Sequence, residues 1–426
     1  MTGRTAPGRR GGRQVAAAAI VLALLAALSA CGTATGTGAG PASPGSATTP
    51  ASARPAASSA GVPPPPSGTG QGGAGFRVLS LSFVSGARGF ALGTTACGRS
   101  RCVGLLATAD GGRTWRALTP PARAAASYGL CDHGSVCVQQ IGFATAAIGY
   151  AFDPSLFLTT DGGRHWRRLP GAGVSSLAAA GGTAVRVSSP VAGCSGEPYQ
   201  VQSAAVGTTA WAVLAAPVIE MICAPVLYRQ GGRLVLVGYG NAAGGVRATA
   251  MIDRSADGGR TWASGPDRCG RRDGYASAIA LARPDVLVLL CRHQQMNASG
   301  RYGPAWIRVS TDGGATFGPD ETVPTVASAQ RGSMLSYQVA AASADRVLVT
   351  QTGVASTQVL VTQDGGLRWS VTLRAAGAGT GPGPGTAGLV VAGFSGPLTA
   401  RIAQAGTIWT TTDGGRTWRA DPLRAG

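Results

Sequence analysis

The chain has 426 residues, 44% of them hydrophobic and 13% charged, with a formal net charge of +18. That apolar share excludes a chain disordered throughout and leaves material for a sizeable core. All 36 basic residues are arginine, the residue bias of a GC-rich genome. The preference over lysine is therefore not read as design for bidentate contacts, although the excess positive charge is real.

Residues 1–30 read as a signal peptide: Arg4, Arg9, Arg10 and Arg13, an apolar run from Val15 to Leu28, then Leu28-Ser29-Ala30-Cys31. The run is shorter than the roughly 20 residues that span a bilayer. The closing tetrapeptide resembles the lipobox of bacterial lipoproteins, which implies that Cys31 is lipidated and becomes the mature N-terminus. Arg9-Arg10 leave open whether export follows the general or the twin-arginine route. Residues 31–75 then hold the lipidated cysteine and a stretch of almost nothing but Gly, Ala, Ser, Thr and Pro, with Arg54 as its single charge. Such a composition buries too little to offset chain entropy and is expected to be a disordered tether. The expected location is the outer side of the cytoplasmic membrane, where nucleic acid is not a partner.

From residue 76 to 426 one phrase recurs. Thr108-Ala-Asp110-Gly111-Gly112-Arg-Thr-Trp115 has copies at Asp161, Asp257, Asp312, Asp364 and Asp413, each with Ser or Thr two residues before the Asp and an aromatic five residues after it. Successive Asp residues are 51, 96, 55, 52 and 49 apart. The doubled gap hides a degenerate copy, Val206-Gly207-Thr-Thr-Ala-Trp211, that has lost its Asp. Seven units of about fifty residues match the period of a four-stranded blade. The expected fold is all-β, a seven-bladed β-propeller with four-stranded antiparallel blades.

Each phrase reads as a hairpin turn between the third and fourth strands of its unit. A β-branched run leads in, the Asp accepts backbone N–H groups, the Gly pair permits positive φ, and the aromatic covers the turn. S/T-x-D-G-G-x-T-W resembles the Asp-box, or BNR, repeat of sialidases, sortilin-type receptors and photosystem II stability/assembly factors. The fuller unit, Gly89-Phe-Ala-Leu-Gly93 followed by Leu105 to Trp115, is most similar to the assembly-factor type. The resemblance implies a propeller whose boxes lie on the rim, so all six Asp residues are read as structural.

Eight cysteines follow Cys31, an even number that fits four disulfides in an oxidising compartment. Sequential pairing is the simplest connectivity: Cys97–Cys102, Cys131–Cys137, Cys194–Cys223 and Cys269–Cys291. A metal site at Cys131, His133 and Cys137 is the rival for one pair, but with three histidines in the chain no metal and no cofactor is expected. If the boxes mark one face, the cysteines fall in loops of the other, together with the longest connections. Two of those loops mix charge with aromatics and form the candidate binding face: Arg271, Arg272 and Tyr275, and Arg292, His293, Arg301 and Tyr302. Arginine and tyrosine suit an acidic or sugar-like partner.

Sialidases resemble one another in an arginine triad, a Glu-activated Tyr, an Asp acid/base and an early F/Y-R-I-P. Here Phe76-Arg77-Val78-Leu79 lacks the proline, and Glu197, Glu220 and Glu321 are the only glutamates. Glu197-Pro-Tyr199 has no supporting pattern, so no catalytic residue is assigned. The expectation is a monomeric, membrane-tethered binding or assembly propeller without catalytic activity, docking an envelope protein or an acidic polymer or glycan. A divergent sialidase-like glycosidase or glycan-binding propeller is the alternative.

Overall fold

A computed structural model describes residues 76–97, 100–122, 136–171, 173–189, 199–214, 222–241, 248–266, 268–269, 274–293, 304–325, 336–353, 356–376, 390–404 and 406–424. The signal segment, Cys31 and the tether lie outside them. The described residues form strands β1 (Arg77–Phe83) to β28 (Arg419–Pro422), which make seven antiparallel sheets of four in strict chain order. The first strand of each sheet lies against the first strand of the next, and β25 (Val390–Phe394) lies against β1. The molecule is a closed seven-bladed β-propeller, with the blades spanning 77–118, 140–169, 173–213, 222–266, 274–322, 336–376 and 390–422.

Strand periodicity explains the closure. In β18 (Leu287–His293), Leu287 and Leu289 pack into blade 4 while Val288 and Leu290 pack into blade 6. Side chains two residues apart share a face, and both faces of a blade meet another blade, so the second strands read as unbroken apolar runs. Seven hydrophobic clusters result, one at each junction between neighbouring blades. At the junction of blades 1 and 2, Phe90 stacks on Phe143 with ring centres 3.5 Å apart.

The first strands have an open edge towards the central channel, where unpaired backbone groups are a liability. Serines bridge part of it. Ser80 Oγ accepts from Ile141 N at 3.2 Å, Ser82 Oγ from Phe143 N at 2.9 Å, and Ser176 Oγ from Leu227 N at 2.9 Å, each reaching into the next blade.

Blade 1 is built wholly from the N-terminal part of the propeller and blade 7 wholly from the C-terminal part, with no strand shared between them. Side chains close the ring instead. Val78, Ala91, Leu106 and Trp115 of blade 1 pack with Ala403, Ile408 and Leu423 of the C-terminal part. Arg401, 3% exposed, reaches across to the carbonyls of Gly86 and Gly111.

Candidate functional site

The Asp boxes are all turns between the third and fourth strands of their blades. In blade 1, Asp110 Oδ1 accepts from Arg113 N at 2.9 Å and Thr114 N at 3.0 Å, while Thr114 Oγ1 donates to Oδ2 at 2.6 Å. The Thr114 hydroxyl, then its backbone N–H, hold the Asp110 carboxyl well below the ordinary carboxylate range. Asp161, Asp257 and Asp312 are lowered in the same way through His165, Thr261 and Thr316. Gly111 has φ 79°, and a Cβ there would stand 2.9 Å from the Gly86 carbonyl oxygen, so both conformation and space call for glycine.

The residue two places before each Asp is the buried pivot. Thr108 is 2% exposed; its Oγ1 donates to Asp110 Oδ1 at 2.8 Å and accepts from Gly112 N at 2.9 Å. Thr159, Ser255, Ser310, Thr362 and Thr411 repeat this pair of bonds. Blade 3 lacks both the Asp and the hydroxyl. There Gly207 N donates to Tyr150 Oη of blade 2 at 2.9 Å, and Arg186 lies 4.3 Å over the Trp211 ring while its Nε donates to Gln202 at 2.8 Å.

Each box glycine also bonds the turn between the first two strands of its own blade: Gly111 N to Ala87 O, Gly162 N to Ala147 O, Gly414 N to Leu398 O. Those two sets of turns therefore share one face of the propeller. Arginines of the preceding blade hold the same turns. Arg233 Nη1 donates to Gly313 O at 3.3 Å, Arg254 Nη1 donates to Gly314 O, and Arg401 Nε donates to Gly111 O at 3.4 Å. Part of the arginine excess is thus internal structure rather than a charged exterior.

Cys97, Cys102, Cys223 and Cys291 lie towards the strand ends away from the box turns. Cys269 is disulfide-bonded to Cys291, with Cα atoms 5.6 Å apart. Cys102 and Cys137 are disulfide-bonded as well, which removes Cys137 as a metal ligand. Among the described residues no group of three His, Cys, Asp or Glu could hold a metal. Two placements differ from the loop positions expected from sequence. Cys97 and Cys102 lie in the paired strands β2 (Gly89–Cys97) and β3 (Ser100–Thr108), opposite Ser100 and Thr95. Cys223 lies in β13 (Ile222–Gln230), opposite Tyr239. The strand pairing simply runs further from the box turns than the turn signals suggest. Cys131, His133, Cys194, Glu197 and Glu220 lie outside the described residues.

Of the candidate binding residues, Tyr275, Arg292 and His293 are described; Arg271, Arg272, Arg301 and Tyr302 are not. Tyr275 stands opposite Arg292 in the pairing of β17 (Gly274–Leu281) with β18. The Arg292 guanidinium lies 4.8 Å from the Tyr337 ring centre in blade 6, and the His293 ring 5.0 Å from that of Trp306. Fully buried Trp306 donates from Nε1 to Cys269 O at 3.0 Å. Alternation along β18 therefore sets Arg292 with Tyr337 on the side facing blade 6, and the Cys269–Cys291 bridge, His293 and Trp306 on the side facing blade 4.

Two cavities open along the channel. The one at the box face, about 760 Å³, is walled mostly by small side chains between Ala280 and Ser343. Its Arg283 lies 3.8 Å from Asp285, and burial pushes its Tyr228 hydroxyl up to about 12. The other, about 400 Å³, opens between blades 1, 2 and 6 and is lined by Leu79, Leu81, Gln139, Gln140, Asp153 and Gln338. Sequence reading passed over Asp153 because it belongs to no repeated phrase. Its signal would have been an Asp-Pro turn, Asp153-Pro154, facing a Gln139-Gln140 pair.

Tyr199, the tyrosine of Glu197-Pro-Tyr199, packs against the apolar cluster between blades 3 and 4. Glu321 lies in the outermost strand of blade 5, β20 (Glu321–Thr322). Neither lines the channel cavities.

The described residues thus define a seven-bladed propeller of four-stranded antiparallel blades, with the box turns gathered on one face. No protein-family model and no curated protein matches the sequence. Among solved structures, the GH74 xyloglucanase of Xanthomonas campestris is similar at a TM-score of 0.51 and 15% identity, over 83% of this chain and 55% of the enzyme. YCF48 from Cyanidioschyzon merolae is similar at a TM-score of 0.49 and 15% identity, over 80% of this chain and 96% of its own. YCF48 bound to a D1 peptide gives a TM-score of 0.42 and 15% identity, over 69% and 87%. At such identities the likeness is one of fold.

Proposed function

We propose that this chain is a non-enzymatic binding or assembly propeller, tethered to the outer side of the cytoplasmic membrane through Cys31, that docks an envelope protein or acidic polymer on its disulfide-bearing face. The observation that carries the reading is the end of β18, where the Cys269–Cys291 bridge, Trp306 and His293 stand on one side of the blade and Arg292 with Tyr337 on the other. It places a cation and aromatic rings on pinned strand ends, so little ordering entropy is lost on binding. A rigid frame with chemically varied loops at one end is a common arrangement for recognition.

The glycosidase alternative draws on the likeness of fold to a xyloglucanase, and the packing of Tyr199 and the peripheral place of Glu321 count against it. The test is capture of partners from envelope extract. Charge reversal at Arg271 and Arg272, or at Arg292 and Arg301, is expected to weaken capture in a salt-sensitive way, whereas reversal at Arg116 and Arg419 beside the boxes is not. Equal loss from both faces would overturn the reading, as would sialoside or glucan hydrolysis that depends on Tyr199 or Glu197.

A further inference from the structure

We infer that the channel opening between blades 1, 2 and 6 is a receptor pocket for one alkyl-ammonium or guanidinium group, the head of a lysine or arginine side chain inserted beside Asp153 and Gln140. The inference rests on the docking reading in taking that side chain from a partner. The pocket itself stands on its own geometry.

Among the described residues lining this cavity of about 400 Å³, Asp153 is the one ionisable group. Gln140 Nε2 donates to Asp153 Oδ2 at 3.3 Å, with Gln139 and Gln338 as further amides and Leu79 and Leu81 as an apolar wall. That split fits an amphipathic side chain, its stem along the leucines and its charge at the carboxylate. A sugar ring would find no aromatic to stack on among the described lining residues, and an anion would meet a carboxylate. Burial raises the Asp153 pKa, against the Gln140 hydrogen bond, which lowers it; a cation would relieve this by a charge-assisted bond. The net charge of +18 opposes a cation at long range. Physiological salt screens exposed charges beyond about 8 Å, so the direct contact decides.

The turn that carries Asp153 is fixed by its backbone. Asp153 has φ 77° and is the one non-glycine residue at positive φ among those described, a conformation that persists only where the surroundings hold it. Three backbone bonds fix its surroundings: Ser155 N to Cys137 O at 3.2 Å, Val174 N to Pro154 O at 2.9 Å and Gln139 N to Phe152 O at 3.0 Å.

The test titrates the full-length protein with N-acetyl-lysinamide, N-acetyl-argininamide, the free diamine cadaverine and the neutral N-acetyl-norleucinamide. At least one cationic amino-acid amide is expected to bind, with norleucinamide about tenfold weaker or worse. Asp153→Asn, which tolerates positive φ, should weaken the cation by about tenfold at an unchanged melting temperature. Gln338→Glu should tighten it, and binding should fade as pH falls through the raised Asp153 pKa. Equal binding of norleucinamide, or equal binding by Asp153→Asn, overturns the pocket. Binding of cadaverine alone overturns the side-chain source. If neither amino-acid amide binds while envelope capture stays dependent on Arg292 and Arg301, this inference falls alone. If the titration succeeds and capture ignores those arginines, the docking reading falls instead.

Discussion

The guanidinium of Arg401 in blade 7 lies 3.9 Å from the ring centre of Phe83 in blade 1. Its Nη1 donates to Ser395 Oγ at 2.9 Å, and its other nitrogens reach the Gly86 and Gly111 carbonyls. One side chain thus joins the last blade to two turns of the first. Burial, and then the nearby Arg419 charge, lower its pKa to about 10, so it stays protonated at neutral pH.

Arg401→Met should therefore open the seam more than the core. A desolvated cation–π contact and bonds from a charged donor together suggest a loss of about 3 kcal/mol. Amide hydrogen exchange should show protection lost first in blades 1 and 7; uniform loss around the ring would argue that the seam is not closed by this side chain.

Blade 3 offers a second measurement. Tyr150 is fully buried and its hydroxyl replaces, from the neighbouring blade, the Ser or Thr that every other box supplies from within. Tyr150→Phe leaves the Gly207 N–H without this acceptor and should cost about 1–2 kcal/mol. A thermal melt that does not move would show that water takes over the bond.

The box carboxylates fix the acid limb of stability. In Asp110, Asp161, Asp257 and Asp312 the folded pKa lies below the unfolded value of about 3.9. Their contribution is present above about pH 4 and is lost as pH falls from there through the folded values. Asp253 runs the other way. It is 2% exposed, and burial raises its pKa against the Ser264 hydrogen bond. Its ionisation destabilises the fold as pH rises through the interval above about 4. Asp253→Asn should thus raise the melting temperature more at pH 7 than at pH 4, and an equal change at both pH values would contradict this.

The blade count was legible because each turn must solve the same local problem within eight residues, from Thr108 to Trp115, and so leaves the same phrase. Contacts that tie blades together leave none. Arg401 and Gly111 are 290 residues apart and Tyr150 and Gly207 are 57 apart, so nothing nearby in sequence marks either pair. The candidate binding face was read from composition. The structure gives Arg292 and His293 ring neighbours in Tyr337 and Trp306, which come from separate strands. Asp153 was missed for a related reason: its pocket joins segments of blades 1 and 2 to Gln338 of blade 6, and no repeated phrase marks them.

Closure by side chains, without a strand lent from one end to the other, makes the starting blade arbitrary. Phe76 and Arg424, at the two ends of the described propeller, line the same groove. A chain rejoined there and cut between any other two blades would meet the same seven junctions in the same order. Selection could then act on the ring as a set of exchangeable units, any of which can serve as the first.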